Sequence, residues 1–323
     1  MHNKKTGVIF FLFLLLIQIT ISNNTFFKSV YSQNTTTAKM ETTNTLNNLS
    51  QNTNPLDIKK VKVGDINIAY RTIGKGSPLL LIMGYAGAMN TWDTRIITKL
   101  SQNHTVIIFD NRGVGNTSSG IKNFSIPQFA QDTVGLINAL HLNKPDVMGF
   151  SMGGFIAQEV ALSNPEKINK LVLYATACGG NESTSLNQNL TKITQNSKSP
   201  KEFYNELIKL IFPKDWIQQN RPIVEIVKEK GFPSNMTMET LQKQYKAISS
   251  WRSIGVCNQL EKINIPTLIM VGTKDVLEPK VNSLIMSKKI PDSWLISIPD
   301  GGHAMMTQTP NTLFYVIQAF LNK

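Results

Sequence analysis

The chain of 323 residues has little of several features that would assign it to a specialised class of protein. Its two cysteines are too few for a disulfide framework or a four-cysteine zinc site. Its four histidines are scattered, and no cluster of His, Cys and carboxylates in the sequence predicts a metal site. Hydrophobic residues make up 41% of the chain, which excludes an intrinsically disordered protein.

Acidic residues are also scarce, because 21 Asp and Glu stand against 33 Lys and Arg, a formal net charge of +12. A basic excess raises the question of nucleic acid or an anionic surface as partner. Nucleic-acid sites typically combine clustered Lys and Arg with aromatic residues, and the sequence has no such cluster. We therefore expect no nucleic-acid partner. The excess is interpreted as a surface property that favours adhesion to an acidic envelope.

The sequence lacks a clear membrane span, which needs about 20 apolar residues. A shorter apolar run, Val8 to Ile21, follows Lys4 and Lys5 at the N-terminus. A positive segment followed by such a run is typical of a secretory signal. We predict a signal peptide over residues 1–32, with an uncleaved N-terminal anchor as the alternative. Either one predicts an exported protein, extracellular or tethered to the cell surface.

The segment that follows, residues 33–55, is poor in hydrophobic side chains. Its first 22 residues contain six Asn and seven Thr. Such a segment cannot offset the entropy lost when a chain becomes ordered. We predict a disordered tether here and a folded domain over residues 56–323.

The remaining sequence alternates between strand and helix patterns. Period-two alternation on both sides of Gly64-Asp65 predicts an initial antiparallel hairpin. Short apolar runs bounded by turns suit strands buried on both faces of a parallel sheet. The alternation predicts an α/β fold with a mostly parallel central sheet flanked by helices. The predicted strands are Lys59–Val63, Ile66–Ile73, Leu79–Met83, Val106–Phe109, Asp146–Gly149, Leu171–Ala175, Thr267–Val271 and Leu295–Ile298, and the predicted flanking helices are Thr91–Ser101, Ile126–His141, Met152–Asn164, Lys280–Ile290 and Asn311–Leu321.

Residues 181 to about 258 interrupt this alternation with helical patterns alone, such as Glu202–Ile211, Arg221–Lys230 and Met238–Ile254. We predict a helical cap inserted over one edge of the sheet rather than a separate domain. The aromatic side chains of the cap would either line an apolar substrate pocket or form the cap's own core. Cys178 and Cys257 flank it; export would permit a disulfide between them, and two buried free thiols are the alternative.

The sharpest motif is G-x-S-x-G, formed by Gly149, Ser151 and Gly153 between a predicted strand and a predicted helix. A nucleophilic serine on such a tight turn needs neighbours without Cβ atoms, and glycine provides them. The alternative is an ordinary turn in which Ser151 only caps the helix. We predict that Ser151 is a nucleophile.

A nucleophilic serine also needs a base, an acid that orients the base, and donors for an oxyanion. His303, in a glycine-rich loop after the last predicted strand, is the expected base. Asp275, directly after the seventh strand, is the expected acid, with Glu278 as fallback, while Asp300 is expected to shape the histidine turn. The backbone amides of Tyr85 and Met152 are the expected oxyanion donors. The whole predicted set of site residues is Ser151, His303, Asp275, Tyr85, Met152, Gly149 and Gly153.

These residues, in the order Ser, Asp, His, resemble the α/β-hydrolase superfamily, in the branch of cap-bearing serine esterases and haloperoxidase-like hydrolases. Residues 110–118 look like the D-x-R-G-x-G-x-S stretch of that family, in which Arg112 would be structural. Met83 and Phe150 stand where many members carry histidine, so the resemblance does not assign the chain to one subfamily. The resemblance covers about residues 56–323.

The resemblance implies a serine hydrolase that cleaves small carboxylic esters through an acyl-enzyme, with no metal or organic cofactor. One alternative is a cofactor-free haloperoxidase or perhydrolase, in which peroxide intercepts the acyl group. A second is an aminopeptidase, which needs an acidic anchor for the substrate amine, and a third is a ligand-binding module without catalysis. The cap carboxylates that could supply the anchor are Glu202, Glu206, Asp215, Glu225, Glu229 and Glu239.

Overall fold

The computed structural model describes residues 57–233 and 235–323. The predicted signal peptide and tether lie outside the described residues. None of the helices described is both long and apolar enough to cross a membrane.

Eight strands form a single sheet in the order β1-β2-β4-β3-β5-β6-β7-β8. The first two strands form the predicted antiparallel hairpin, and β2 also pairs antiparallel with β4. Every other strand pair in the sheet is parallel. The strands are β1 (Lys59–Val63), β2 (Ile66–Ile73), β3 (Ser77–Ile82), β4 (His104–Phe109), β5 (Asp146–Phe150), β6 (Leu171–Tyr174), β7 (Thr267–Gly272) and β8 (Ser293–Ile298).

Helices cover both faces of this sheet. One hydrophobic core lies between the sheet and α2, α3 and α9, and a second lies between the opposite face and α1 and α11. The central strands are buried on both faces, which is why they appear in the sequence as continuous apolar runs. The helices are α1 (Thr94–Leu100), α2 (Ile126–Ala139), α3 (Met152–Ser163), α4 (Gln188–Asn196), α5 (Pro200–Ile211), α6 (Lys214–Gln219), α7 (Arg221–Lys230), α8 (Met238–Ile254), α9 (Lys280–Lys289), α10 (Met305–Gln308) and α11 (Pro310–Leu321).

Two of the predicted flanking helices differ from the structure by more than one residue at an end, each for a local reason. The predicted helix Thr91–Ser101 is a short 3-10 turn followed by α1, because the Asp93 side chain accepts a hydrogen bond from the Arg95 amide and starts a new helix. Helix α2 ends at Ala139, and His141 has a φ of 52°, outside the helical region.

The insertion between β6 and β7 consists of helices α4 to α8, and we call it the cap. A disulfide joins Cys178 to Cys257 at the base of the cap, with their Cα atoms 4.9 Å apart. The Val256 amide donates to the Cys178 carbonyl there at 2.7 Å. The two chain segments that lead into and out of the cap are therefore held side by side by a covalent bond and by the backbone.

Most of the large apolar side chains of the cap pack within it. Phe203 and Tyr204 on α5 are buried, and Tyr204 stacks on Phe232 with ring centroids 3.7 Å apart. The same hydrophobic cluster includes Ala86 and Ala88, which lie in the loop after β3. The cap therefore has its own core, and that core is continuous with the loop at the end of β3.

Candidate active site

Ser151 lies at the turn between β5 and α3 in a backbone conformation that L-residues rarely adopt. Its φ is 54° and its ψ is −118°. The Ser151 amide donates to the Tyr174 carbonyl at 2.9 Å, and its own carbonyl accepts from the Thr176 hydroxyl at 2.9 Å and from the Gly154 amide at 2.8 Å. The surrounding structure therefore holds a strained serine in place, which is typical of a functional site.

The two glycines of the motif are required by close backbone contacts. A Cβ atom at Gly149 would overlap the Gly153 carbonyl, and a Cβ atom at Gly153 would overlap the Ile82 carbonyl at the end of β3. Helix α3 can therefore begin this close to the sheet only because both positions lack a side chain. Ser151 itself remains half-buried.

Asp275 and His303 form a buried hydrogen-bonded pair at the carboxyl ends of β7 and β8. The Asp275 Oδ2 atom lies 2.8 Å from His303 Nδ1. The Asp275 Oδ1 atom accepts from the amides of Leu277 and Glu278, each at 2.9 Å, so the carboxylate is fixed at both oxygens. Because a carboxylate accepts, Nδ1 carries the proton in the neutral imidazole and Nε2 is left as an acceptor.

The other two acids considered from the sequence have different partners. Glu278 forms a buried ion pair with Arg252 at 2.6 Å and accepts from the Asn282 side chain at 2.9 Å. The Asp300 carboxylate is 80% exposed and lies 3.1 Å from the Lys274 ammonium. Of the three acids, Asp275 is the one that the structure brings to the His303 ring.

Several opposing effects act on the pKa of His303. Burial disfavours the charged imidazolium and lowers the pKa, but the charge of Asp275, its hydrogen bond to Nδ1 and the charge of Glu278 outweigh that effect. The pKa of His303 therefore lies above its ordinary value of 6.5.

An aromatic cluster that the sequence did not suggest links Phe150, the residue before Ser151, to His303. The Phe150 ring, next to Ser151 in the chain, lies 5.0 Å from the His303 ring and stacks on Tyr174 at 4.7 Å. The Tyr174 hydroxyl donates to the His303 carbonyl at 3.1 Å and accepts from the Met306 amide at 2.9 Å. Tyr174 thus connects the turn at residues 149–153, which we call the elbow, to the loop that carries His303, although in the sequence it is only an apolar strand residue.

No direct hydrogen bond joins Ser151 to His303 within the described residues. Catalytic hydrogen bonds are often long in proteins without bound substrate and shorten only in the reacting complex. The half-buried serine and the imidazole are held in loops at the same end of the sheet, at the carboxyl ends of β5 and β8.

The loop after β3 lies directly against Ser151. A Cβ atom at Gly84 would be 3.1 Å from the Ser151 Cβ and 3.0 Å from the Phe150 carbonyl. Among the described residues, neither the Tyr85 nor the Met152 backbone amide donates to a protein acceptor. Both predicted donors therefore flank the serine with N–H groups that the protein itself does not use.

Arg112 lies away from these groups and has a structural role. Its guanidinium is fully buried and pairs with Asp65 at 2.8 Å and with Asp132 at 2.7 Å. It also donates to the Ser119 carbonyl at 3.0 Å. It ties the hairpin, α2 and the loop after β4 together. Within the described residues, no group of three or more His, Cys, Asp and Glu could hold a metal ion.

The sequence and the fold of the chain resemble those of known proteins. The family model for the alpha/beta hydrolase fold matches residues 77–308. A protein of Azorhizobium caulinodans, named as carbamate hydrolase RutD, is 25% identical over 260 residues, 80% of this chain and 96% of the relative. A protein of Mycobacterium tuberculosis, named as non-heme bromoperoxidase BpoC, is 27% identical over 262 residues, 77% of this chain and 95% of the relative.

A solved structure, described as a hydrolase from Pseudomonas aeruginosa, superposes on this chain with a TM-score of 0.73. It shares 22% sequence identity and covers 84% of this chain and 100% of its own. At that identity the likeness concerns the fold, which has the same mostly parallel sheet flanked by helices. The family match, which spans strands β3 to β8 and all the residues of the candidate site, establishes that the chain belongs to the alpha/beta hydrolase fold family.

Proposed function

We propose that this protein is a serine hydrolase that cleaves small carboxylic esters, with Ser151 as nucleophile, His303 as base and Asp275 as the acid that orients the base. The observation that carries the proposal is the buried Asp275–His303 pair beside a serine held on a strained turn. Pairs of this kind convert an unreactive hydroxyl into a nucleophile.

In the proposed reaction, the Ser151 Oγ atom attacks the ester carbonyl carbon while His303 Nε2 takes its proton. The carbonyl oxygen becomes an oxyanion that accepts from the Tyr85 and Met152 amides. Collapse of this intermediate expels the alcohol, which takes the proton from His303 and leaves the acyl group on Ser151. A water molecule, deprotonated by His303, then attacks the acyl group and releases the carboxylic acid.

The charge of Asp275 supports this cycle at the step where the imidazolium forms. Because His303 is buried, its positive charge would be unfavourable without a neighbouring negative group. The same carboxylate that stabilises the imidazolium raises the pKa of His303 and makes it a stronger base. The pair is thus suited to take a proton from serine and return it to a leaving alkoxide.

The names of the relatives suggest two related activities that can be tested with the same residues. Carbamate hydrolysis would use the same attack on a carbonyl carbon. Haloperoxidase or perhydrolase activity would use the same acyl-enzyme, with peroxide in place of water. Both depend on Ser151, so they differ from ester hydrolysis in substrate and not in machinery.

The aminopeptidase alternative is disfavoured by the acidic residues of the cap. Of the six carboxylates offered by the sequence, Glu206 is half-buried and the other five are exposed. Glu206, Glu225 and Glu239 pair with lysines on their own helices. Glu278, the buried acid near His303, is already paired with Arg252.

We also propose that the protein is exported, as the N-terminal sequence predicts. The disulfide between Cys178 and Cys257 supports this proposal because disulfides persist in oxidising compartments. Fractionation of cells that express the full chain would test it, and a protein found only in the cytoplasm would contradict it.

The catalytic proposal is tested by hydrolysis of chromogenic esters of graded acyl length, with aryl carbamates and peroxide-dependent halide oxidation measured in parallel. Ser151→Ala is compared with Ser163→Ala, which removes an exposed hydroxyl from the other end of α3. We expect Ser151→Ala to lose at least about 10⁴-fold in kcat and Ser163→Ala to remain active. Turnover by Ser151→Ala close to that of the native protein would refute the nucleophile.

A further inference from the structure

After Ser151, Ala86 is the second residue of the candidate site with a strained backbone. It follows the proposed oxyanion donor Tyr85 in the loop after β3. Its φ is 65°, in the left-handed region that alanine avoids. This conformation is unfavourable for an L-residue and persists only where surrounding contacts enforce it. Its contacts therefore decide the path of the loop beside Ser151.

Both polar groups of the Ala86 backbone bind side chains of the cap. The Ala86 amide donates to the Gln244 Oε1 atom at 3.1 Å, and the Ala86 carbonyl accepts from the Tyr204 hydroxyl at 2.7 Å. Gln244 belongs to α8 and Tyr204 to α5. All three residues are buried. The left-handed peptide is thus clamped on both sides by two different cap helices.

The preceding residue is anchored in the same cap. The Tyr85 hydroxyl donates to the Leu241 carbonyl on α8 at 3.2 Å and lies 3.3 Å from the Thr194 hydroxyl on α4. On the other side of the loop, Gly84 lies against Ser151. The segment from Gly84 to Ala86 is therefore held between the elbow and the cap, and rotation of its peptide planes would break contacts on one side or the other.

We propose that Gln244 and Tyr204 are positioning residues for the oxyanion hole. By holding Ala86 in the left-handed conformation, they aim the Tyr85 amide at the place where negative charge develops in the reaction. The inference rests on the proposed function, because it takes Tyr85 as an oxyanion donor. It assigns the cap a part in the chemical step.

The hydrogen bonding of Gln244 supports a role in positioning over a role in stability. Its orientation is fixed, because only its carbonyl oxygen can accept from the Ala86 amide. Its Nε2 group is then buried and has no acceptor among the described residues. A buried donor without an acceptor is destabilising. Replacing the amide by an apolar group of similar shape removes that penalty and leaves the Ala86 amide unpaired, so the two effects on stability oppose each other.

The test uses two variants with matched controls in the full-length protein. Gln244→Met removes the acceptor, and Gln242→Met changes an exposed glutamine on the same helix. Tyr204→Phe removes the hydroxyl that binds Ala86, and Tyr245→Phe removes a hydroxyl that binds Thr191 within the cap. The thermal unfolding midpoint is measured for each variant.

We expect kcat for the best ester to fall about 10- to 100-fold in Gln244→Met and Tyr204→Phe, less than for loss of an oxyanion donor itself. KM should change less than threefold, because the lost interaction acts mainly in the transition state. The inhibition constant of a boronic acid, which forms a tetrahedral adduct with serine, should rise in parallel with the fall in kcat. Both controls should keep the native values.

A second substitution separates positioning from packing. Glycine adopts a positive φ without steric cost, so Ala86→Gly should restore part of the kcat lost in Gln244→Met. Native kcat in both Gln244→Met and Tyr204→Phe, or an equal fall in Tyr245→Phe, would overturn the inference. If Gln244→Met does not fold, Tyr204→Phe decides alone. Failure of the proposed function itself is recognised separately, by ester turnover in Ser151→Ala.

Discussion

The two sides of the candidate site are built in different ways. On the sheet side, Ser151 is fixed by backbone hydrogen bonds and by two glycines that lie a few residues from it in the chain. On the cap side, the loop containing Ala86 is fixed by side chains 118 and 158 residues away in sequence. The sheet side tolerates almost no change of backbone, whereas the cap side depends on a few replaceable hydrogen bonds. Substitutions on the two sides should therefore differ in kind.

Beyond Ser151→Ala, the largest effect is expected on the sheet side, from Asp275→Asn. Asparagine keeps the size of the side chain but can donate to His303 Nδ1 and so favour the wrong tautomer. We expect kcat to fall about 10⁴-fold with little change in stability. The measurement is ester turnover, with Asp300→Asn as the exposed control. Retention of most activity by Asp275→Asn would show that another group orients His303.

The second effect concerns the base of the cap. The double variant Cys178→Ala/Cys257→Ala lacks the disulfide, which closes a loop between two residues with a sequence separation of 79. The loop entropy predicts a loss of about 4.5 kcal/mol in the free energy of unfolding. Urea unfolding of the double variant measures it. Reductant should destabilise the native protein and leave the variant unchanged, and a similar response in both would contradict the role of the bond.

The third effect tests the backbone packing of the elbow. Gly153→Ala places a methyl group against the Ile82 carbonyl, a backbone atom that cannot move aside easily. We expect a loss of about 1–3 kcal/mol in the free energy of unfolding together with loss of labelling of Ser151 by a fluorophosphonate. Gly135→Ala, where the methyl group would meet the Val63 side chain of β1, serves as a control remote from Ser151. Normal labelling of Gly153→Ala would contradict the proposed constraint.

The smallest effect concerns a buried ion pair that connects the sheet side of the site to the cap side. Glu278 raises the pKa of His303, and it is itself paired with Arg252 from cap helix α8. Neutral His303 is the base, so kcat/KM falls as pH drops through its pKa. Glu278→Gln removes a negative charge and leaves the positive charge of Arg252 unbalanced. Both changes lower the pKa of His303. We expect the acidic limb of the pH profile to move to lower pH, whereas Asp300→Asn should leave it in place.

The sheet could be predicted from the sequence because its signals are local. Each buried strand is a short apolar run, and the hairpin of β1 and β2 has the predicted bounds. Helices α4, α6 and α10 were missed. Two of them, α6 and α10, are only 6 and 4 residues long, which is too short for a periodic pattern to appear. The amphipathic α4 lies in a segment rich in Asn and Thr, residues with low intrinsic helix propensity.

For the site, the sequence by itself determined those candidates whose role follows from their residue type and from their position at the end of a strand. The elbow glycines, Ser151, Asp275 and His303 are of this kind, because parallel strands bring their carboxyl ends to one edge of the sheet. Only the tertiary structure decided which acid meets His303, since Asp275 and Glu278 are three residues apart and their side-chain directions depend on packing. It also decided the disulfide and the contacts of Tyr174, Tyr204 and Gln244. These contacts join residues far apart in the chain, and their distances exist only after the cap has folded onto the sheet.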